Sequence, residues 1–315
     1  MTEAARGVAA MVLCCCIWGL SALYYKLLDH VPPLELLAHR TLWSLLFFGA
    51  VLAVQRRLGQ LRRAVTERAT AFRVLLAGLT IATNWFFFIF SIQIGRATEA
   101  SLGYYIFPLV AVLLGWLVLS ERLTRAQWLA VGLAAGAVVL LTAGQGVAPW
   151  ISLALAGSFG AYGLIKKRLD MGPVLSVAGE VLLLAPIALA ILWLAHREGG
   201  VFGTSLADSL LLMLAGPLTG TPLILFAYAA RRITLATVGL VQYLNPTLQF
   251  LVAVLIFAEP VGLWHAIAFP VIWTALAIYS LSSLRRERAS RRAPVSSSVE
   301  AMLVTKPRNE ASAKP

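Results

Sequence analysis

Ala100–Glu121 reads ASLGYYIFPLVAVLLGWLVLSE, and Val238–Glu259 reads VGLVQYLNPTLQFLVAVLIFAE. At the single offset of 138 residues that joins them, Leu102 meets Leu240, Tyr105 meets Tyr243, Pro108 meets Pro246, and Glu121 meets Glu259. Apolar matches are cheap in so apolar a chain, but a tyrosine, a proline and a closing glutamate in register are not. A second set lies at nearly the same spacing: Gly19, Lys26 and Asp29 precede Gly160, Lys167 and Asp170 by 141 residues. The chain therefore reads as an internal duplication.

The composition says where that duplication resides. Of 315 residues, 60% are apolar and 13% charged, and the mean hydropathy is +0.83. Soluble domains carry about 25% charged residues, so the chain reads as an all-α polytopic membrane protein. Ten segments approach the roughly 20 apolar residues a spanning helix needs: about 7–26, 34–54, 72–94, 99–119, 126–143, 148–165, 173–195, 207–229, 234–257 and 262–283. The connections are short. Residues 285–315, rich in Arg, Ser, Ala and Pro, read as a disordered basic cytoplasmic tail.

The net charge of +12 does not indicate nucleic acid, because the basic residues fall in short clusters between apolar runs. With the N-terminus in the cytoplasm, 22 of the 26 Lys and Arg lie on the cytoplasmic side, leaving only Lys26, Arg40, Arg96 and Arg197 elsewhere. Ten spans put both termini inside. Residues 1–144 and 145–284 then form two five-span units, and an odd number of spans per unit inserts the second upside down. An inverted pair of five-helix repeats is the architecture of secondary transporters that work by alternating access.

Polar side chains within spans are costly, and each is a candidate functional group. Span two carries Glu35, His39 and Arg40; Glu35 and His39 share a face. Span seven carries Glu180, which corresponds to His39 at offset 141. His39 and Glu180 read either as a titrating pair coupling proton movement to transport, with Arg40 as charge compensation, or as separate structural groups. In the second case Glu35 and Arg40 snorkel to the interface and Glu180 bonds a neighbouring helix. Asn84, Trp85, Tyr104, Tyr105, Gln242, Tyr243 and Asn245 cluster near mid-span as candidates to line a solute cavity. Pro108 and Pro246 are candidate helix bends at matched places, each freeing a backbone carbonyl. The same residues also read as helix-packing groups. Glu121 and Glu259, at span ends, read as caps or interfacial ion pairs.

Other chemistry finds no support. There is no phosphate-binding Gly-Lys-Ser/Thr loop, and Gly144–Gln145–Gly146 lacks the remainder of a dinucleotide fingerprint. The four histidines, His30, His39, His196 and His265, are not paired at ligand spacing, so neither a metal nor a cofactor is expected. Cys14, Cys15 and Cys16 are adjacent and suit neither a metal site nor a disulfide. The first apolar run is followed by Tyr24, Tyr25 and Lys26 rather than a small-residue cleavage site, so it reads as a retained span.

The stretch Glu99–Val110 (EASLGYYIFPLV), together with Ala38-His39-Arg40 and Gln242-Tyr-Leu-Asn-Pro-Thr, resembles the RarD group of bacterial EamA-type transporters. Ile17-Trp18-Gly19, Asn84-Trp85, Ser158-Phe159, Tyr162-Gly163 and Glu180 add to the resemblance, which covers about residues 7–284. It implies the drug/metabolite transporter fold, with ten spans in two inverted repeats, in the bacterial inner membrane. It also implies export of small metabolites or drugs; members are commonly labelled chloramphenicol-sensitivity or permease proteins. The expected partners are a small-molecule solute and membrane lipid, and a homodimer is left open. The rival readings are a non-transporting scaffold or sensor subunit, which requires the polar mid-span residues to be packed without a connected cavity, and a membrane enzyme on lipid-linked substrates, which lacks a cluster of acids or histidines.

Overall fold

The computed structural model describes residues 2–120, 122–146 and 148–292; Glu121 and residues 293–315, most of the expected tail, lie outside the described residues. Among the described residues the chain is helical throughout and forms no β-strand. In chain order the helices are α1 (Glu3–Leu27), α2 (Pro33–Val54), α3 (Leu58–Thr66), α4 (Arg68–Gln93), α5 (Ala97–Leu119) and α6 (Arg125–Gln145). They continue with α7 (Trp150–Lys166), α8 (Pro173–Arg197), α9 (Leu206–Ala230), α10 (Leu235–Gln242) and α11 (Leu244–Leu251), a π-helical turn (Val252–Ile256), and α12 (Leu263–Arg292).

Nine helical stretches among the described residues are long and apolar enough to cross a membrane, α10, α11 and the π turn counting together as one. The other expected segment, α7, has 17 residues, about 25 Å at 1.5 Å per residue. Three features depart from the sequence reading. The connection after α2 contains α3, an amphipathic helix that buries Leu61 and Ala64 while Arg62 and Arg63 face outward. The ninth segment breaks at Tyr243. α12 continues to Arg292, so the expected tail begins as helix.

The break at Tyr243 has a local cause. Proline lacks an N–H and its ring clashes with the carbonyl four residues earlier; for Pro246 that residue is Gln242, the last of α10. Beyond the break the ladder shifts to i→i+5, with the Phe257 N–H donating to the Val252 carbonyl at 3.0 Å. Such π turns mark places where the regular ladder has been disturbed, often at functional sites. Pro108 acts differently: α5 runs through it unbroken, so of the two expected bends only Pro246 interrupts its helix.

Positions matched by the sequence offsets share local features. Ser120 and Ala258, 138 residues apart, are both left-handed, with φ of 54° and 52°. Packing repeats as well. A Cβ on Gly19 would lie 2.6 Å from Leu248 Cβ, and one on Gly160 would lie 3.0 Å from Leu114 Cδ1 and 3.3 Å from Val110 Cγ1. Gly19 and Gly160 are matched at offset 141, and Val110 and Leu248 at 138, so one close glycine approach occurs in both halves. The neighbours follow suit: α1 packs on α9 and α11, α7 packs on α4 and α5, α2 packs on α8, and α6 packs on α12. Exchanging each helix for its counterpart maps this set onto itself.

Candidate functional site

A cavity of about 540 Å³ lies between α5, α7, α10, α11 and α12. It runs from Tyr104, in the second turn of α5, to Leu119 and Lys167 at the far ends of α5 and α7. Its walls are mostly aromatic and apolar, including Phe107, Phe159 and Tyr279, with glycines Gly160, Gly163 and Gly239 that leave room. Pro108 and Pro246 both line it. Because a proline leaves the carbonyl four residues earlier without its helical donor, the freed carbonyls belong to Tyr104 and Gln242, which line the cavity too.

The opposite end of the bundle is fastened. The Glu259 carboxylate accepts from the N–H groups of Ala97 (2.6 Å) and Thr98 (2.7 Å) and from the Thr98 hydroxyl (2.6 Å). A carboxylate on the first N–H groups of α5 satisfies donors with no intrahelical partner and meets the positive end of the helix dipole, so Glu259 is a cap. The Gln93 amide donates to the carbonyls of Leu28 and Val31. The connection between α8 and α9 folds inward: the Val201 N–H donates to Glu35 at 2.8 Å, and Phe202 stacks on His39 with ring centroids 5.0 Å apart. The cavity's lining thus reaches the ends of α5 and α7, while these contacts fasten the other end of the bundle.

Of the seven expected lining residues, Tyr104, Gln242, Tyr243 and Asn245 line the cavity. Asn84 sits one step behind it, 1% exposed, donating to the Leu155 carbonyl (2.9 Å) and Ser158 Oγ (3.1 Å) and accepting from the Tyr104 hydroxyl (2.9 Å). That amide ties α4, α5 and α7 together at the cavity's deep end. Trp85 lies beneath Arg40. Tyr105 faces away, its hydroxyl paired with Thr247 Oγ1 at 2.8 Å and its ring against Phe269 and Trp273. Tyr105 is therefore a packing group in this state.

The span charges separate into two places. Glu180, 1% exposed, accepts from Lys166 Nζ (2.7 Å), the Tyr162 hydroxyl (3.1 Å) and Ser176 Oγ (2.8 Å); Lys166 also donates to Ser176. Arg40, 7% exposed, donates from Nη1 to the Tyr25 hydroxyl at 2.7 Å and lies 4.0 Å over the Trp85 ring. His39 and Glu180 share no bond. They lie in the first two turns of α2 and α8, near opposite ends of the bundle. Nor does Arg40 snorkel; it is buried. Sequence reasoning passed over Lys166, Tyr162, Ser176 and Tyr25. The spacing Ser176–Glu180, one turn apart, was the available signal for the first cluster. At offset 141, Tyr25 and Lys166 are matched, and each bonds a charged residue on the following long helix: Tyr25 to Arg40 on α2 and Lys166 to Glu180 on α8, although Arg40 itself is matched to Val181.

A bundle of long apolar helices around such a cavity, with buried charges beside it, defines a multi-pass membrane protein. The chain matches the EamA-like transporter family model over residues 5–143. It is 43% identical over 277 residues to Protein RarD of Streptomyces exfoliatus, covering 87% of this chain and 88% of that one. It is also 39% identical over 292 residues to the uncharacterized transporter YojE of Bacillus subtilis (strain 168), covering 92% and 98%. The chain belongs to the RarD group of the EamA-like transporter family. A crystal structure of 21% sequence identity superposes with a TM-score of 0.59, covering 87% of this chain and 97% of that one, a likeness of fold alone.

Proposed function

We propose that this chain is a secondary active transporter of the bacterial inner membrane that exports small amphipathic solutes by alternating access. Ten spans, α7 being the short one, make two inverted five-helix repeats, and both termini face the cytoplasm. The observation that carries the reading is the one-ended cavity. It reaches the end of the bundle where α5, α7 and α12 finish and α10 begins, the cytoplasmic end under the arginine distribution, while Glu259, Gln93 and the connection holding Phe202 close the other. A packed scaffold has no use for such a space. Because helix neighbours repeat between the halves, exchanging the two halves' conformations would close this mouth and open the far one.

Glu180 is the proposed coupling carboxylate. In the inward-open state it accepts hydrogen bonds from Lys166, Tyr162 and Ser176. Sliding α7 against α8 during the transition breaks that set, and a carboxylate stripped of its partner inside a membrane takes up a proton. His39, matched to Glu180 but stacked under Phe202, belongs to the outer closure. Metabolite profiling of the medium of cells over-expressing the wild type identifies the exported solute. Its flux in proteoliposomes should then follow an imposed pH gradient. Glu180→Gln should leave downhill flux but remove the response to the gradient; an undiminished response would refute the coupling role.

A further inference from the structure

We propose that Arg40 is the anchoring point for a carboxylate on the transported solute, and that small aromatic carboxylates are the preferred solute class. This rests on the transporter reading above and adds to it the chemistry of the solute.

A guanidinium is ionised at any physiological pH and carries five donors in a fixed fork. Buried within a membrane span, such a charge requires compensation. Lys166, which is only partly buried, has a carboxylate on it at 2.7 Å. Arg40 has none: no Asp or Glu among the described residues lies within ion-pair distance. Glu35, on the same helix, instead accepts from the Val201 N–H. Arg40 makes one hydrogen bond, to a neutral hydroxyl, and its Nε, fully buried, has no acceptor. The Trp85 face contributes a cation–π contact, which attracts the charge without cancelling it.

The position suits a solute site. Arg40 lies seven residues into α2 and Tyr104 seven residues into α5, both about 10 Å from the closed end at 1.5 Å per residue. Tyr104 forms the deep end of the cavity. Its ring packs on Phe88 with centroids 5.8 Å apart, and Phe88 packs on Tyr25, the residue bonded to Arg40, at 5.7 Å. The rings of Tyr104, Phe88 and Tyr25 thus run in series from the cavity wall to the guanidinium. Lys167 lines the mouth, and among the described residues of the wall there is no carboxylate. Tyr104, Phe107, Phe159 and Tyr243 offer flat apolar surface for a ring. A carboxylate accepts two parallel bonds from a guanidinium, and at Arg40 it would do what Glu180 does for Lys166 in the other half.

Phenylacetate and phenethylamine share a ring and a two-carbon chain, and differ in ending in an anion or a cation. Ligand that binds only the folded state raises the melting temperature. Phenylacetate at millimolar concentration should raise that of the purified wild-type protein, and phenethylamine should not. Arg40→Gln should abolish the phenylacetate shift, and Arg40→Lys, which keeps the charge but loses the fork, should leave a smaller one. If Arg40→Gln does not fold, Arg40→Lys decides: a reduced shift supports the site and a full one overturns it. No shift in the wild type, or equal shifts with both probes, also overturns it. Because binding is read without flux, a phenylacetate shift without phenylacetate uptake into proteoliposomes would count against the transporter reading and not against Arg40.

Discussion

Gly163→Phe should abolish solute flux while leaving the protein folded. Gly163 lines the cavity, and a Cβ placed on it meets nothing within 4 Å, so the ring projects into the space the solute must occupy. Losing even 1.4 kcal/mol of solute binding is a tenfold loss of affinity, and a ring filling the site should lower flux by about tenfold or more. Gly239→Phe, from the facing wall, has equally open surroundings and should do the same. Gly160 is the contrast. It also borders the cavity, but its Cβ direction runs into Leu114 and Val110, so Gly160→Phe should cost folded protein rather than flux per molecule. Flux assays paired with melting temperatures distinguish the two outcomes.

Glu180→Ala should be the most destabilising polar substitution in the second half of the chain. It strands Lys166 and removes the acceptor of the Tyr162 and Ser176 hydroxyls. Removing one member of a buried ion pair costs about 3–5 kcal/mol. Lys166 keeps 22% of its side chain exposed and can redirect its ammonium toward water, so a loss of about 2–3 kcal/mol is expected here. The double change Lys166→Met with Glu180→Leu should recover most of it, because no charge is then left unpaired. Unfolding of the four proteins in one detergent measures the coupling; additive losses would mean that the pair is not a unit.

The helical membrane fold was legible because it depends on composition and run length. Even short connections announced themselves, apart from α3, whose amphipathic nine residues lay hidden in an arginine-rich stretch. The mid-span cluster was half legible: Pro108, Pro246, Tyr104, Gln242, Tyr243 and Asn245 do surround one cavity. Hydropathy could not tell Tyr104 from Tyr105, since adjacent residues in a helix point about 100° apart and α5 is apolar nearly all round. The same blindness hid the partners of Glu180 and Arg40, which come from other helices and depend on rotations that no single helix encodes. Offset alignment matched His39 with Glu180 and so suggested a pair. Residues matched by a sequence offset are corresponding places, however, not neighbouring ones, and these two lie near opposite ends of the bundle.

The central claim is a cavity open to one membrane face at a time. Gly163→Cys, in a background with Cys14, Cys15 and Cys16 replaced by alanine, tests it with a membrane-impermeant thiol reagent applied to inside-out and right-side-out vesicles. Labelling from the cytoplasmic face only, accompanied by loss of flux, is the predicted result. Equal labelling from both faces, or none from either, would contradict it.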